Sequence, residues 1–265
     1  MKYIFTDIDG TLCYRDNCGK QALPANTLKT LKMLKENGHL IFLTTGRSLF
    51  SAKDVIKDFK FDGYVCSLGS YVTCGEEVLI DNPFDETEIE DICQKARKHH
   101  ILMMYECLNL IFVDEEWQKT LRNYRDQSDF EHWRNLESYT SKIPVYKVTI
   151  KASNKEDFLN FESEINKSYN VVHGVKEDVF FAEITKGSNS KGLAIKKLIR
   201  DQGYKYEDII TIGDSPNDLD MMIVGYTSIA MGNSFKIIKE HATMVTDDVC
   251  KDGFYLAFKK LGLVE

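Results

Sequence analysis

Tyr3-Ile4-Phe5-Thr6-Asp7-Ile8-Asp9-Gly10-Thr11 is the stretch that decides the fold. A short run of strand-forming residues ends in two carboxylates one residue apart, and Gly10 closes it as a turn. A carboxylate at the end of a buried parallel strand lies where open α/β sheets bind ligands, outside the carboxyl ends of their strands. Asp7 therefore reads as the seat of a nucleophile, and two aspartates there can divide their labour if their surroundings push their pKa values apart. A calcium loop beginning at Asp7 would need glycine at its sixth position and glutamate at its twelfth. The chain has Leu12 and Cys18 there, so that reading fails. On the pentapeptide alone, a plain Asx or glycine turn stays open.

Outward from this strand, residues 1–82 alternate strand and helix, the pattern of a parallel sheet covered on both faces. Pro24 can open a helix on which Leu28, Leu31 and Leu34 share a face, and Asn37-Gly38 stops it. Leu40 to Thr44 is a second strand delivering Thr45-Gly46-Arg47 to a loop. Ser48 can then cap a helix bearing Val55, Ile56 and Phe59, and Tyr64 to Ser67 is a third strand. Tyr71 to Ile80, with Gly75-Glu76 at its centre, reads as a hairpin.

Asn82-Pro83 breaks this pattern. Asp85 with Glu88 resembles a capping box for a helix with Ile89, Ile92, Cys93 and Ala96 inward. Strands are expected near 101–106, 109–113, 145–151, 170–173 and 178–184, with a helix near 155–168. Helices and antiparallel strands without strict alternation suggest an α+β insertion. Trp117, Trp133, Tyr105, Tyr124, Phe130 and Tyr139 could line a pocket there, but aromatics at this density are more often core. From Glu183 the alternation resumes, with a helix over Ser190 to Gln202, a strand over Ile209 to Ile212, a helix after Pro216 and a strand over Thr227 to Met231. The expectation is an α/β protein: a Rossmann-like parallel-sheet core from residues 1–82 and 183–265, interrupted by an α+β insert at 83–182.

Composition narrows the function. The 265 residues carry a net charge of -7, a field that repels nucleic acid, so any phosphate must be held locally. The seven cysteines, Cys13, Cys18, Cys66, Cys74, Cys93, Cys107 and Cys250, are odd in number and form no Cys-x-x-Cys pair, which favours reduced thiols over a disulfide framework or zinc site. No cleavable apolar leader and no apolar run near the ~20 residues of a membrane span are visible, so a cytoplasmic protein is expected, with no membrane partner. The six histidines are scattered and receive no role.

Four strand-end motifs remain: Asp7-Ile8-Asp9-Gly10-Thr11, Thr45-Gly46-Arg47, Ser190-Lys191-Gly192 and Gly213-Asp214-Ser215-Pro216-Asn217-Asp218. In order, spacing and flanking strands the chain resembles the haloacid dehalogenase superfamily, and within it the Cof-type phosphatases with a large type-2 cap between the second and third motifs. The resemblance covers essentially the whole chain. It implies a phosphatase of small phosphomonoesters, sugar phosphates before phosphorylated cofactors, with the 83–182 insert as a cap that sets specificity.

Phosphate-monoester hydrolysis is among the slowest uncatalysed reactions, so such a site must supply a nucleophile, a proton and charge stabilisation. The resemblance makes Asp7 the nucleophile, forming an aspartyl-phosphate, and Asp9 the acid and base. It implies Mg²⁺ held by Asp7, Asp214 and the backbone carbonyl of Asp9, with Asp218 orienting Asp214 or a metal-bound water. Two carboxylates suit the number Mg²⁺ ordinarily takes. Phosphate oxygens would be met by Ile8, the Thr45 hydroxyl, the Gly46 amide, Lys191 and Asn217. By itself Lys191 could equally be one more surface lysine beside Lys186, Lys196 and Lys197, and the Asp214 to Asp220 stretch a capped helix start. Arg47 either reaches the substrate or pairs with an acid on the following helix. Leu68-Gly69-Ser70 stands where the family often has Asn-Gly-Ala, a departure that bears on substrate contact from that loop. A phosphotransferase or mutase of the same fold, and a non-catalytic phosphometabolite-binding regulator, are the alternatives. A monomer or weak homodimer is expected.

Overall fold

The structure, a computed structural model, describes residues 1–16, 20–121, 131–165, 167–174 and 180–265. These form two compact units, Met1–Asp81 with Ser190–Glu265, and Asn82–Asn189. The protein is mixed α/β with a parallel-sheet core.

In the first unit, Tyr3–Thr6 lies at the middle of an eight-stranded sheet. Leu40–Thr44 pairs on one side and Ile209–Gly213 on the other, both parallel to it, with Thr6 opposite Leu43 and Ile212. Thr227–Ala230 and Met244–Val245 extend the sheet beyond Ile209–Gly213, while Gly63–Cys66 and the hairpin Tyr71–Cys74/Glu77–Asp81 extend it beyond Leu40–Thr44. All four residues of Tyr3–Thr6 and all five of Ile209–Gly213 are buried, which is why both read as apolar runs rather than alternating ones. Three neighbouring parallel strands thus end together, at Asp7, Thr45 and Asp214. That common edge is what the strand order does for function.

Local signals explain the helices. Thr27–Glu36 follows Pro24 and ends at Asn37, with Gly38 at φ +79°. Lys191–Gln202 is capped by Ser190, whose Oγ accepts from the Leu193 amide at 3.1 Å, and ends on left-handed Gly203. The helix after Ser48 is shorter than expected, Leu49–Val55. Ser48 occupies its N-cap position without a side-chain hydrogen bond, and Ile56 and Phe59 are buried from the turn that follows.

The second unit is a six-stranded sheet in the order Trp133–Asn135, Ile111–Val113, Leu102–Glu106, Lys147–Ala152, Phe180–Lys186, Tyr169–His173. Its pairs are antiparallel except Trp133–Asn135 with Ile111–Val113. Ile89, Ile92 and Ala96 of helix Glu86–Lys98 and Phe158 and Phe161 of helix Lys155–Glu164 pack with Met103, Tyr105, Val148, Ile150, Ala182 and Ile184 as one core. The Glu88 side chain reaches back to accept from the Asp85 amide at 2.7 Å, so the capping box forms. The expected change of unit near 183 falls instead between Asn189 and Ser190. The cause is strand Phe180–Lys186, which pairs along its length inside this sheet and carries the chain past that point. Helix 155–168 stops at Glu164, and strand Trp133–Asn135 and helix Glu115–Leu121 were not expected. Trp117, Trp133 and Tyr105 are buried and Tyr139 meets Tyr105 edge-on, so these aromatics are core rather than pocket lining. Tyr124, Phe130 and Cys18 lie outside the described residues. The six described cysteines are free thiols. No described helix is long and apolar enough to cross a membrane.

Candidate active site

The backbone places Asp7 before any side chain acts. Its amide donates to Ile212 O at 3.0 Å, continuing the ladder one residue past the strand and setting Asp7 beside Gly213 and Asp214. The chain then winds tightly: the Ile8 carbonyl accepts from the amides of Thr11, Leu12 and Cys13. Gly10 makes this turn at φ +84°, and a Cβ on it would lie 2.3 Å from Asp214 Oδ2. Gly10→Ala should therefore cost about 1–2 kcal/mol for the left-handed backbone alone and also displace the Asp214 carboxylate. We expect a lower melting temperature together with at least about 100-fold lower activity; a fully active, wild-type-stable variant would contradict this geometry.

Around Asp7 the charges are buried and densely paired. Lys191, 1% exposed, donates from Nζ to Asp7 Oδ1 at 2.7 Å, Asp218 Oδ1 at 2.6 Å and Asn217 Oδ1 at 3.3 Å. It is no surface lysine. Burial pulls its pKa down, but Asp218 and Asp7 outweigh this and hold the ammonium well above the usual lysine range. Asp218 is saturated, because its Oδ2 accepts from the amides of Asp214 and Ser215 at 3.0 and 3.1 Å while Oδ1 serves Lys191. Asn217 Oδ1 also accepts from Ser215 Oγ at 2.8 Å.

Asp7, Asp214 and Asp218 offer ligand oxygens all within 4.8 Å of one another. Three carboxylates share one lysine. Burial pushes the Asp7 carboxyl up to about 7 against the partial relief of Lys191, and burial followed by repulsion from Asp7 and Asp218 pushes Asp214 up to about 9. Asp214 Oδ1 is buried with no hydrogen-bond partner among the described residues, and Oδ2 has a 3.5 Å contact from Asn233 Nδ2. An acceptor-only oxygen buried without a donor, among excess negative charge, is what a hard divalent cation relieves. The donor set fits Mg²⁺.

Asp9 points elsewhere. Its carboxylate, half-exposed, forms a two-pronged pair with Arg47, Nε to Oδ2 at 2.7 Å and Nη2 to Oδ1 at 2.6 Å, and Nη2 also donates to Gln21 Oε1 at 2.9 Å. The expected pairing of Arg47 with an acid on its own helix does not hold: its partner is Asp9, an acid on the first loop. The two loops leave adjacent strand ends, which sequence distance conceals. Thr45 is buried, its Oγ accepts from the Arg47 amide at 3.1 Å, and its own hydroxyl hydrogen can point to a ligand. Gly46 lies in the same turn. Ser67, Leu68 and Gly69 take left-handed conformations in succession at φ 47°, 55° and 88°, with Gly69 close against the Ser190 carbonyl. This buried turn supports the start of the Lys191 helix.

Two contributors escaped the sequence reading. Asn233 donates to Gly10 O at 2.8 Å and accepts from the Val249 amide at 2.9 Å, tying the first turn to the chain after Thr227–Ala230. Asp220 Oδ2 accepts from the Gly192 amide at 2.7 Å and fixes the turn that carries Lys191. The signal for Asn233 was its position in Met231-Gly232-Asn233, at a strand end of this same sheet.

The fold and this acidic edge are those of a hydrolase class whose family model, described as haloacid dehalogenase-like hydrolase, matches residues 4–258. The chain belongs to that family, and it is a hydrolase of phosphoric monoesters. Among curated proteins it is similar to Bacillus subtilis YkrA, 29% identical over all of this chain and 99% of that one. It is also similar to the Escherichia coli pyridoxal phosphate phosphatase YbhA, 23% identical over 95% of each. Among solved structures it resembles the HAD subclass IIB sugar phosphatase BT4131, with a TM-score of 0.82, 25% identity and 100% of both chains covered.

Proposed function

We propose that the protein is a Mg²⁺-dependent phosphatase of small phosphomonoesters that works through an aspartyl-phosphate on Asp7. The observation that carries this reading is the buried Asp7–Lys191–Asp218 network beside the unpartnered oxygen of Asp214. Asp7 and Asp214 would hold the metal, with the Asp9 carbonyl, and Mg²⁺ would supply charge neutralisation that lets an anionic nucleophile meet a phosphate. Asp218, with both oxygens committed, positions Lys191 and the Asp214 backbone rather than coordinating.

In the first step the Asp7 carboxylate attacks phosphorus, the bond from phosphorus to the leaving oxygen breaks, and Asp9 gives that oxygen a proton. In the second, water attacks the acyl phosphate and Asp9 takes a proton from it. The Arg47 pair presents Asp9 as a carboxylate, the form the second step needs; the first requires it to leave the guanidinium and carry a proton. Lys191, Asn217, the Thr45 hydroxyl and the amides of the Ile8 and Gly46 turns would receive the phosphate oxygens, and charge-assisted donors gain most as negative charge spreads over them.

Sugar phosphates are the preferred substrates under this reading, with phosphorylated cofactors behind them. Support comes from the relatives named as sugar, pyridoxal phosphate and 5-amino-6-(5-phospho-D-ribitylamino)uracil phosphatases. The test is phosphate release from such a panel with Mg²⁺ or excess chelator. Release that requires the metal supports the reading. Product that appears only when an acceptor alcohol is added would make the chain a transferase instead.

A further inference from the structure

The reaction on Asp7 leaves Arg47 without a task, although its guanidinium joins three segments of the first unit. Arg47 follows strand Leu40–Thr44, and its Nε and Nη2 reach the turn after the central strand, donating to Asp9 Oδ2 and Oδ1 at 2.7 and 2.6 Å. Nη2 also donates to Gln21 Oε1 at 2.9 Å, and Gln21 belongs to a short ribbon in which Gln21–Ala22 pairs with Tyr14–Arg15. Stability alone does not ask for this arrangement. The Asp9 side chain is 52% exposed, and ion pairs that water reaches contribute little to folding.

The exposure that weakens the pair as a staple suits it to a reaction with water. Asp7 is buried, whereas the Asp9 carboxylate is open to solvent. A carboxylate offers about four lone-pair positions, and the parallel prongs of one guanidinium take one on each oxygen. Each Asp9 oxygen thus keeps a position with which to accept from a water molecule, so Asp9 can act as a base without leaving Arg47. The pair as it stands serves the second half-reaction. Gln21 adds to this by steering Nη2, the nitrogen that holds Oδ1.

We propose that Arg47 and Gln21 are positioning residues for hydrolysis of the aspartyl-phosphate; this rests on the phosphatase reading above. The water oxygen bonds to phosphorus, the bond from phosphorus to the Asp7 oxygen breaks and frees the Asp7 carboxylate, and one water proton passes to Asp9 while Arg47 holds it. The test uses 4-nitrophenyl phosphate with Mg²⁺, because nitrophenolate departs without needing a proton and so reports the first step alone. Arg47→Ala and Arg47→Lys should release about one nitrophenolate per protein in a burst, then turn over about 10- to 100-fold more slowly than wild type. The lysine variant keeps the charge and loses the two prongs. Phosphorylated protein should accumulate in acid-quenched samples read by mass spectrometry, and guanidinium ion should restore the steady rate of Arg47→Ala. Gln21→Ala should slow the same step about two- to tenfold, the worth of one hydrogen bond. Because Asp9 is half-exposed, none of these changes leaves a buried charge unpaired, and melting temperatures should hold. A higher KM without a burst would make Arg47 a substrate contact, and unchanged kinetics would make the pair structural; the proposal falls in either case. Slower turnover without accumulated phosphoprotein or without guanidinium rescue overturns it too. If Asp7→Asn turns over like wild type, the phosphatase reading falls and takes this proposal with it. An inactive Asp7→Asn beside an unaffected Arg47→Ala removes the proposal alone.

Discussion

Replacing Asp7 by asparagine should slow phosphate release on the order of 10⁴-fold or more, because under the proposed mechanism it removes the carboxylate that attacks phosphorus. Asparagine has the same shape and keeps an acceptor oxygen for Lys191. The ammonium also retains Asp218 at 2.6 Å, so no buried charge is left alone. The fold should therefore survive. In metal-free protein at pH 8 the variant should melt at a higher temperature than wild type, since one of three crowded carboxylates has become neutral. Phosphate release and a thermal melt on the same samples check both halves. Wild-type turnover by a well-folded variant would overturn the mechanism.

Chelation should abolish turnover, and its signature should also appear in stability. Asp7 and Asp214 are pushed up by burial to about 7 and about 9, whereas unfolded carboxyls titrate near about 4. Between those limits the native state holds protons that the unfolded chain has released, and stability falls as pH rises wherever the native state binds more protons. Metal-free protein should thus be more stable at pH 5 than at pH 8. Held by Asp7 and Asp214 as proposed, Mg²⁺ would compete with protons for the same oxygens, so it should raise the melting temperature strongly at pH 8 and weakly at pH 5. An equal shift at both values would mean that the metal binds elsewhere. Asp7→Asn should flatten the pH dependence.

How much of this was legible follows from the range of the interactions involved. The sheet core could be read because each strand is an uninterrupted apolar run closed by a turn residue, and the edge because Asp7, Thr45 and Asp214 each follow such a run directly. Lys191 could be placed by its capped helix, but its near-complete burial could not, since that depends on Asp7 and Asp218 closing around it. The Arg47 pair with Asp9 and the Asn233 bond to Gly10 join loops far apart in sequence, and nothing local to any of the four announces the partner. The change of unit was misjudged near 183 because Phe180–Lys186 is apolar enough to pass for a core strand of either unit. Local composition says what a strand is; only pairing says to which sheet it belongs.

The hydrogen bond from Lys191 to Asp7 spans 184 positions of sequence, and Tyr3–Thr6 has Ile209–Gly213 as its partner on one side. During synthesis, the first strand must wait with that edge unpaired while the entire second unit, Asn82–Asn189, is made. Such long-range pairing is slow and leaves an apolar edge open to aggregation. The nascent chain should accordingly hold a folded second unit before it holds any active centre, and truncation anywhere before Ile209 should yield insoluble protein rather than a weakened enzyme.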